Sequence, residues 1–435
     1  MAACNVERLP NEVLLIIFSY LSNEDLALNV RNVCSRWRNI ADSKVLWEEY
    51  EFYASDLEVE NVILQLRNMP CLKSFCLWDN HIAEDAKRLT ETLATYCKNL
   101  KVLEFPYTSM TAGMLQTLLS NSVELDKLVI STSFYNQQTT EVIGQFETLS
   151  TLVIAGECTD KLLNPHALRP IATGCPNLTS LCLENFNIPA EEVNFLLQHK
   201  ANKLKDFSWL GPIYSSVLMT IAKCTELLSL KMSYFTIIDY YSQCNIRVPE
   251  MKSLEKMIYE SSEIEYLPII LANTYKHLKI LFIYNTKGHT NKYLQTILFN
   301  CVYLESLTLI NLELEDSTFK NIRSQCLKHL EIQNCRGWSY CAILHIKLTC
   351  KNLQVFGVSH CKLSLETCSE ILQLEHVETF HFVDCDIQHF DFKQIATCLP
   401  RLKRMHFDNC KFNSLQCEAI NTLKLKRPRV TIKIL

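Results

Sequence analysis

The run Leu304-Glu305-Ser306-Leu307-Thr308-Leu309 decides how the chain is read, because its apolar residues are spaced by three and then by two. The closing alternation is that of a short strand with one buried face. The same phrase recurs: an aliphatic anchor, two variable residues, an apolar residue, one variable residue and a second apolar residue. Its anchors are Leu72, Leu100, Leu125, Leu149, Leu178, Leu204, Leu227, Leu254, Leu278, Leu304, Leu327, Leu353, Val377 and Leu402. The thirteen intervals between Leu72 and Leu402 average about 25 residues, a period that marks stacked repeats rather than one large core. Helical spacing fills the gaps, as in Leu89, Leu93 and Tyr96, then Leu115, Leu118 and Leu119, then Leu294, Ile297 and Cys301, and later Ile395 and Leu399. The expected fold class is therefore α/β. Strands should form a parallel concave sheet, and the helices, longer per repeat than a strand is wide, should take the convex side.

Residues 9–47, LPNEVLLIIFSYLSNEDLALNVRNVCSRWRNIADSKVLW, follow another rule. Pro10 suits a helix start, and Val13, Leu14, Leu15, Ile16, Ile17 and Phe18 then cover more than one face of a helix. Ser22 followed by Asp25 is a capping-box signature for a second helix containing Leu26, Leu28 and Val30. Val33, Trp37, Ile40, Leu46 and Trp47 supply a third apolar set. About 40 residues is near the limit of what folds alone, so the apolar surplus calls for cover from a second protein. The alternative is a helical cap turned inward on the rest of the chain.

The stretch closely resembles the F-box, a small all-α three-helix motif that binds a Skp-family adaptor. The likeness rests on Leu9-Pro10, Glu12-Val13-Leu14, Ile17-Phe18, Leu21, Asp25-Leu26, Val33-Cys34, Trp37-Arg38 and Leu46-Trp47. The repeated phrase resembles the leucine-rich-repeat family in its cysteine-containing form, whose fold is a horseshoe-shaped solenoid. These likenesses divide the chain into an F-box at 1–50, a connecting helical segment at 51–70, about fourteen leucine-rich repeats at 71–412, and a capping helix and strand at 413–435. They imply the substrate receptor of a Skp–cullin–F-box ubiquitin ligase, bound through the adaptor to a cullin and a RING subunit. The implied adaptor-facing residues are Leu9, Pro10, Val13, Leu14, Ile17, Phe18, Leu21, Leu26, Val33, Trp37, Leu46 and Trp47, some of which must instead hold the three helices together. A non-degradative scaffold or inhibitor is the other reading of such an array.

Cysteines mark the register. Cys97, Cys175, Cys224, Cys301 and Cys350 stand three residues before an anchor and Cys398 four before, while Cys335, Cys361, Cys385 and Cys410 stand eight after one. A small side chain with a weak donor suits a buried turn. Earlier in the chain the position eight after the anchor reads Asn80, Thr108, Ser133, Glu157, Phe186, Pro212, Phe235, Ser262, Thr286 and Leu312, so the middle departs from the family pattern. The basic run KLKRPR at 424–429 reads either as a nuclear-import signal or as a solvated sheet edge.

Composition removes other classes. Only 8 of 435 residues are glycine, and no phosphate-cradling or nucleophile-elbow motif occurs. Neither HExxH nor CxxC is present, so no catalytic residue, metal ligand or cofactor is expected. With 47 acidic against 43 basic residues, the chain carries no signature of nucleic-acid binding. No apolar run approaches the roughly 18 residues of a membrane span. Twenty-one cysteines without a signal segment point to a reducing compartment, cytosol or nucleus.

Binding is expected on the concave face, at residues two, four and six places after each anchor. Ile258, Ile280, Phe282, Tyr284 and Ile310 would form one apolar patch there, a candidate anchor for a protein target. His381, Arg404, His406 and Asp408 would supply polar specificity near the carboxyl end. A register slip of one residue would instead bury the apolar group as core, and the histidines also read as plain solvated surface.

Overall fold

The computed structural model describes residues 6–47, 51–53, 58–77, 83–107, 110–121, 123–131, 137–155, 166–184, 188–240, 246–261, 263–286 and 290–434. The chain divides into two compact units, residues 1–204 and 205–435. In the first, α1 (Asn11–Phe18), α2 (Asn23–Leu28), α3 (Ser35–Ala41) and α4 (Lys44–Trp47) come before the sheet, the expected third helix being broken at Asp42 and Ser43. Ser22 caps α2 by accepting a hydrogen bond from the Asp25 amide at 3.1 Å. Strands β1 (Glu51–Tyr53), β2 (Ser74–Cys76), β3 (Val102–Phe105), β4 (Lys127–Ser131), β5 (Thr151–Ala155) and β6 (Ser180–Glu184) then pair in chain order, all parallel. The ladder thus opens with β1, ahead of the first anchor, and helix α5 (Val59–Arg67) links β1 to β2.

The second unit continues the pattern with β7 (Asp206–Leu210), β8 (Ser229–Ser233), β9 (Lys256–Glu260), β10 (Ile280–Tyr284), β11 (Ser306–Ile310), β12 (His329–Gln333), β13 (Val355–Ser359), β14 (Thr379–Val383), β15 (Arg404–Asp408) and β16 (Thr431–Ile434). These ten also pair in parallel and in order. Helices such as Thr290–Asn300 and Tyr340–Thr349 cross between strands. Each unit is therefore a length of α/β solenoid.

The same spacing of buried residues holds within each unit. Strands β2 to β15 each begin two residues after an anchor, and all fourteen anchors are buried. The third and fifth residues after each anchor from Leu100 onward are buried as well, as in Leu281 and Ile283 or Phe380 and Phe382. Inward residues of the crossing helices, such as Leu294 and Ile297, are buried too. Burying such a side chain contributes about 1.5–3 kcal/mol, so the alternation is strongly held.

A polar column closes the strands of the second unit, and it stands seven residues after the anchor, one place before the column singled out in the sequence. Asn285, Asn311, Asn334, His360, Asp384 and Asn409 all have left-handed φ, between 47° and 56°. Asparagine and aspartate tolerate that conformation better than branched residues. Each amide from Asn285 to Asp384 reaches the last carbonyl of the following strand, at 2.8–3.0 Å. The side chains form a ladder: Asn311 donates to Asn285 and Asn334 donates to Asn311, both at 2.6 Å, and Asn409 donates to Asp384. Of the column eight after the anchor, residues 80, 108, 133, 157, 186 and 262 lie outside the described residues. Its cysteines turn inward, Cys335, Cys385 and Cys410 donating to Leu309, Val358 and Phe382 carbonyls of the preceding strand. Burial pushes the thiols of Cys335 and Cys361 up to about 11 and that of Cys385 to about 12.

At the carboxyl end the helix Ser414–Lys426 begins on a reciprocal cap between Asn413 and Gln416, and the Gln416 amide also reaches the Ile387 carbonyl at 2.8 Å. Arg427, inside the basic run, donates to the Leu399, Pro400 and Leu402 carbonyls and is committed to the fold.

Two outcomes are expected. Asn311→Val, which strains the left-handed position by about 1–2 kcal/mol and removes both ladder bonds, lowers the urea-unfolding midpoint more than Asn311→Gly. Under native alkylation Cys34 and Cys417 react, whereas Cys335, Cys361 and Cys385 react only after unfolding, which peptide mass mapping would show.

Candidate functional site

The apolar run of α1 divides into two stripes. Leu14 and Phe18, four residues apart, are fully buried, and Phe18 packs edge-on against Trp37 of α3 at 5.2 Å. Val13, Ile16, Ile17 and the following Tyr20, at the i, i+3, i+4, i+7 spacing of one helix face, are exposed, Ile16 at 58% and Tyr20 at 85%. Leu21, Val33 and Val45 are also exposed. The inner stripe is fixed from α3: Arg36 donates to the Asn11 side chain at 2.9 Å and to the Leu9 carbonyl. On its other side the bundle meets α5 and the turn after it. Arg31 binds Asp42 at 2.7 Å and the Asn68 side chain at 2.9 Å, and the Cys71 thiol donates to the Asp42 carbonyl.

The expected adaptor-facing set therefore splits. Leu14, Phe18, Leu26 and Trp47 are buried within the chain, Trp47 also donating its indole N–H to the Ala41 carbonyl at 2.7 Å. For these four the expectation that they face the adaptor is corrected: they lie inside the bundle and hold it together. Leu9, Trp37 and Leu46 are half-buried, and Pro10, Val13, Ile17, Leu21 and Val33 are exposed. Sequence reasoning missed Ile16, Tyr20 and Val45. For the first two the helical period was the available signal, since 13, 16, 17 and 20 share a face that 14 and 18 do not.

In the second unit Ile258, Ile280, Phe282, Tyr284 and Ile310 all stand half-buried on the open side of the sheet, alternating with buried Tyr259, Leu281, Ile283 and Leu309. They are lateral neighbours: Ile258 pairs in register with Phe282, and Tyr284 with Ile310. The Phe282 and Tyr284 rings stack with centroids 6.2 Å apart, and the Lys256 ammonium lies over Phe282 at 5.7 Å.

Farther along, His381 and His406 are adjacent in register, their rings 5.0 Å apart and edge-to-face. Burial, then the neighbouring His406, pushes His381 below the usual histidine range, and burial followed by Lys433 and Arg404 does the same to His406. Arg404 and Asp408 are exposed, and Arg404 donates to the Thr379 hydroxyl at 3.3 Å.

Glu331, which the sequence did not single out, faces the same side. It accepts from His329 at 3.0 Å and Gln333 at 3.1 Å, and the His329 bond holds its carboxyl below the usual range. Its side chain lies across Gly357, where an added Cβ would come within 2.9 Å of Glu331 Cγ. One of only eight glycines, placed on the open side of a strand, was the sequence signal for that seat.

Among the described residues no group of three or more histidine, cysteine, aspartate or glutamate side chains is placed to hold a metal ion, and no helix is long and apolar enough to cross a membrane.

Residues 6–52 match the F-box-like family model, so the chain begins with an F-box-like domain. Over 48 residues the chain is 42% identical to F-box only protein 44 of Homo sapiens, a stretch that covers 11% of this chain and 19% of that protein. The similarity thus spans about a fifth of the relative's length.

Leu14→Ala should lower stability by about 2–5 kcal/mol in chemical denaturation, as expected for a fully buried leucine. Ile16→Asp, on the exposed stripe, should stay within about 0.5 kcal/mol of the parent protein.

Proposed function

We propose that the chain is the substrate-recognition subunit of a Skp–cullin–F-box ubiquitin ligase. The observation that carries this is the apolar stripe of Val13, Ile16, Ile17 and Tyr20, left open on a domain that matches the F-box-like model. Isolated apolar side chains are ordinary on a surface, whereas a stripe along one helix with exposed Leu21, Val33 and Val45 beside it is a docking surface. Its occupant is a Skp-family adaptor, which in turn binds a cullin and a RING subunit. The solenoid is of the leucine-rich-repeat type. Its open face in the second unit holds a protein target, with the apolar group from Ile258 to Ile310 as anchor and the group around His381 and His406 as a polar selector.

The chain supplies no reacting group in this scheme. Ubiquitin transfer is accelerated because target lysines are held near the charged conjugating enzyme, an effective-concentration effect. The many free, buried thiols suit work in the cytosol or nucleus.

Co-expression with a Skp-family adaptor tests the proposal. The parent chain should co-purify with adaptor and cullin, and Ile16→Asp combined with Ile17→Asp should abolish recovery while the chain remains folded. Recovery undiminished by that pair would overturn the docking surface. A captured target that accumulates on proteasome blockade supports a degradative receptor, and one that persists unchanged supports a scaffold.

A further inference from the structure

Deepening the reading that the open face of the second unit holds a target, and resting on it, we propose that Tyr234, Glu260 and Tyr284 form a corner that takes a basic side chain. The occupant is a lysine or arginine of an extended target segment whose apolar side chain, two residues away, sits against Phe282 and Ile258.

Glu260 ends β9 on the open side, half-buried, and among the described residues no ion pair reaches it. It accepts a hydrogen bond from the Asn285 side-chain amide at 3.2 Å, and its carboxylate raises the hydroxyl of the neighbouring Tyr234 above the usual phenol range. A carboxylate offers about four acceptor positions, so capacity and charge both remain. Lys256, at the opposite end of β9, turns its ammonium over the Phe282 ring and makes no ion pair with Glu260.

Tyr234 is the unusual member. It holds the place where later strands carry asparagine, histidine or aspartate, with φ of 47°, and it is 64% exposed. The turn requires that conformation here as in the later strands, and an aromatic residue carries strain in it. Its amide binds the Glu260 carbonyl at 2.6 Å, which brings the ring beside the carboxylate. Tyr284 flanks it on β10, in register with Glu260, and feels that charge: burial first, then Glu260, raises its hydroxyl. Two aromatic rings around an uncompensated carboxylate attract a cation through the ring faces and the charge together.

The spacing defines the ligand. The Phe282 and Tyr284 rings lie 6.2 Å apart, and side chains two residues apart on one edge of an extended chain lie about 6.6 Å apart. A segment with an apolar residue and a basic residue separated by one position, in either order, meets both rings at once.

The test is selection of a phage-displayed library of random linear peptides on the full chain. Enriched peptides should carry lysine or arginine two residues from an apolar side chain. Their affinity should fall about tenfold in Glu260→Gln, the loss of one charge-assisted contact. Tyr234→Gly, which relieves the strained position, should weaken binding to a similar degree without lowering the melting temperature. Peptides that lack a basic residue, or that ignore both substitutions yet are lost in Phe282→Ser, would overturn the cationic corner and leave the target-binding face standing. No enrichment, or enrichment indifferent to all three substitutions, would overturn both.

Discussion

Two inward side chains per strand, at the third and fifth positions after each buried anchor, are the constraint on which the rest of the molecule depends. Each contributes about 1.5–3 kcal/mol on burial, and a shift of one residue would turn a whole strand inside out. With that alternation held from strand to strand, the side chains left on the open face are also determined. Phe282 and Tyr284 are available because Leu281 and Ile283 are not. The asparagine column enforces the same register from the strand ends, since its left-handed residues and amide ladder bring successive turns to one height.

The amino-terminal bundle applies the same economy to a helix. Leu14 and Phe18 close against Trp37 and the other helices, and with that face spent Val13, Ile16 and Ile17 of α1 stay exposed. Polar bonds from Arg31 and Arg36 lock the buried half in place, so the outer stripe is presented on a fixed support. A preformed apolar surface loses little side-chain freedom on association, which favours binding.

Much of this was legible in the sequence. The fourteen anchors predicted the strands because a period near 25 with alternating apolar residues has few other solutions. The F-box landmarks were legible because they combine a start proline, a capping serine and closing tryptophan at fixed spacing. What escaped were choices made in three dimensions. An unbroken apolar run such as 13–18 does not say which stripe finds cover, so Leu14 and Phe18 were assigned outward and Ile16 was overlooked. The turn was read at the cysteine column, eight places after the anchor, although Asn285, Asn311, Asn334 and Asn409 stood one place earlier. The neighbourhood of Glu260 involves residues more than twenty positions apart, and Tyr234 beside it follows no motif.

The most direct measurement is hydrogen–deuterium exchange of the full chain with and without a purified Skp-family adaptor. Slowed exchange should be concentrated in peptides covering residues 11–21 and 33–47, with the strands of the second unit unchanged. Protection absent from residues 11–21, while the adaptor is demonstrably bound elsewhere on the chain, would contradict docking through α1.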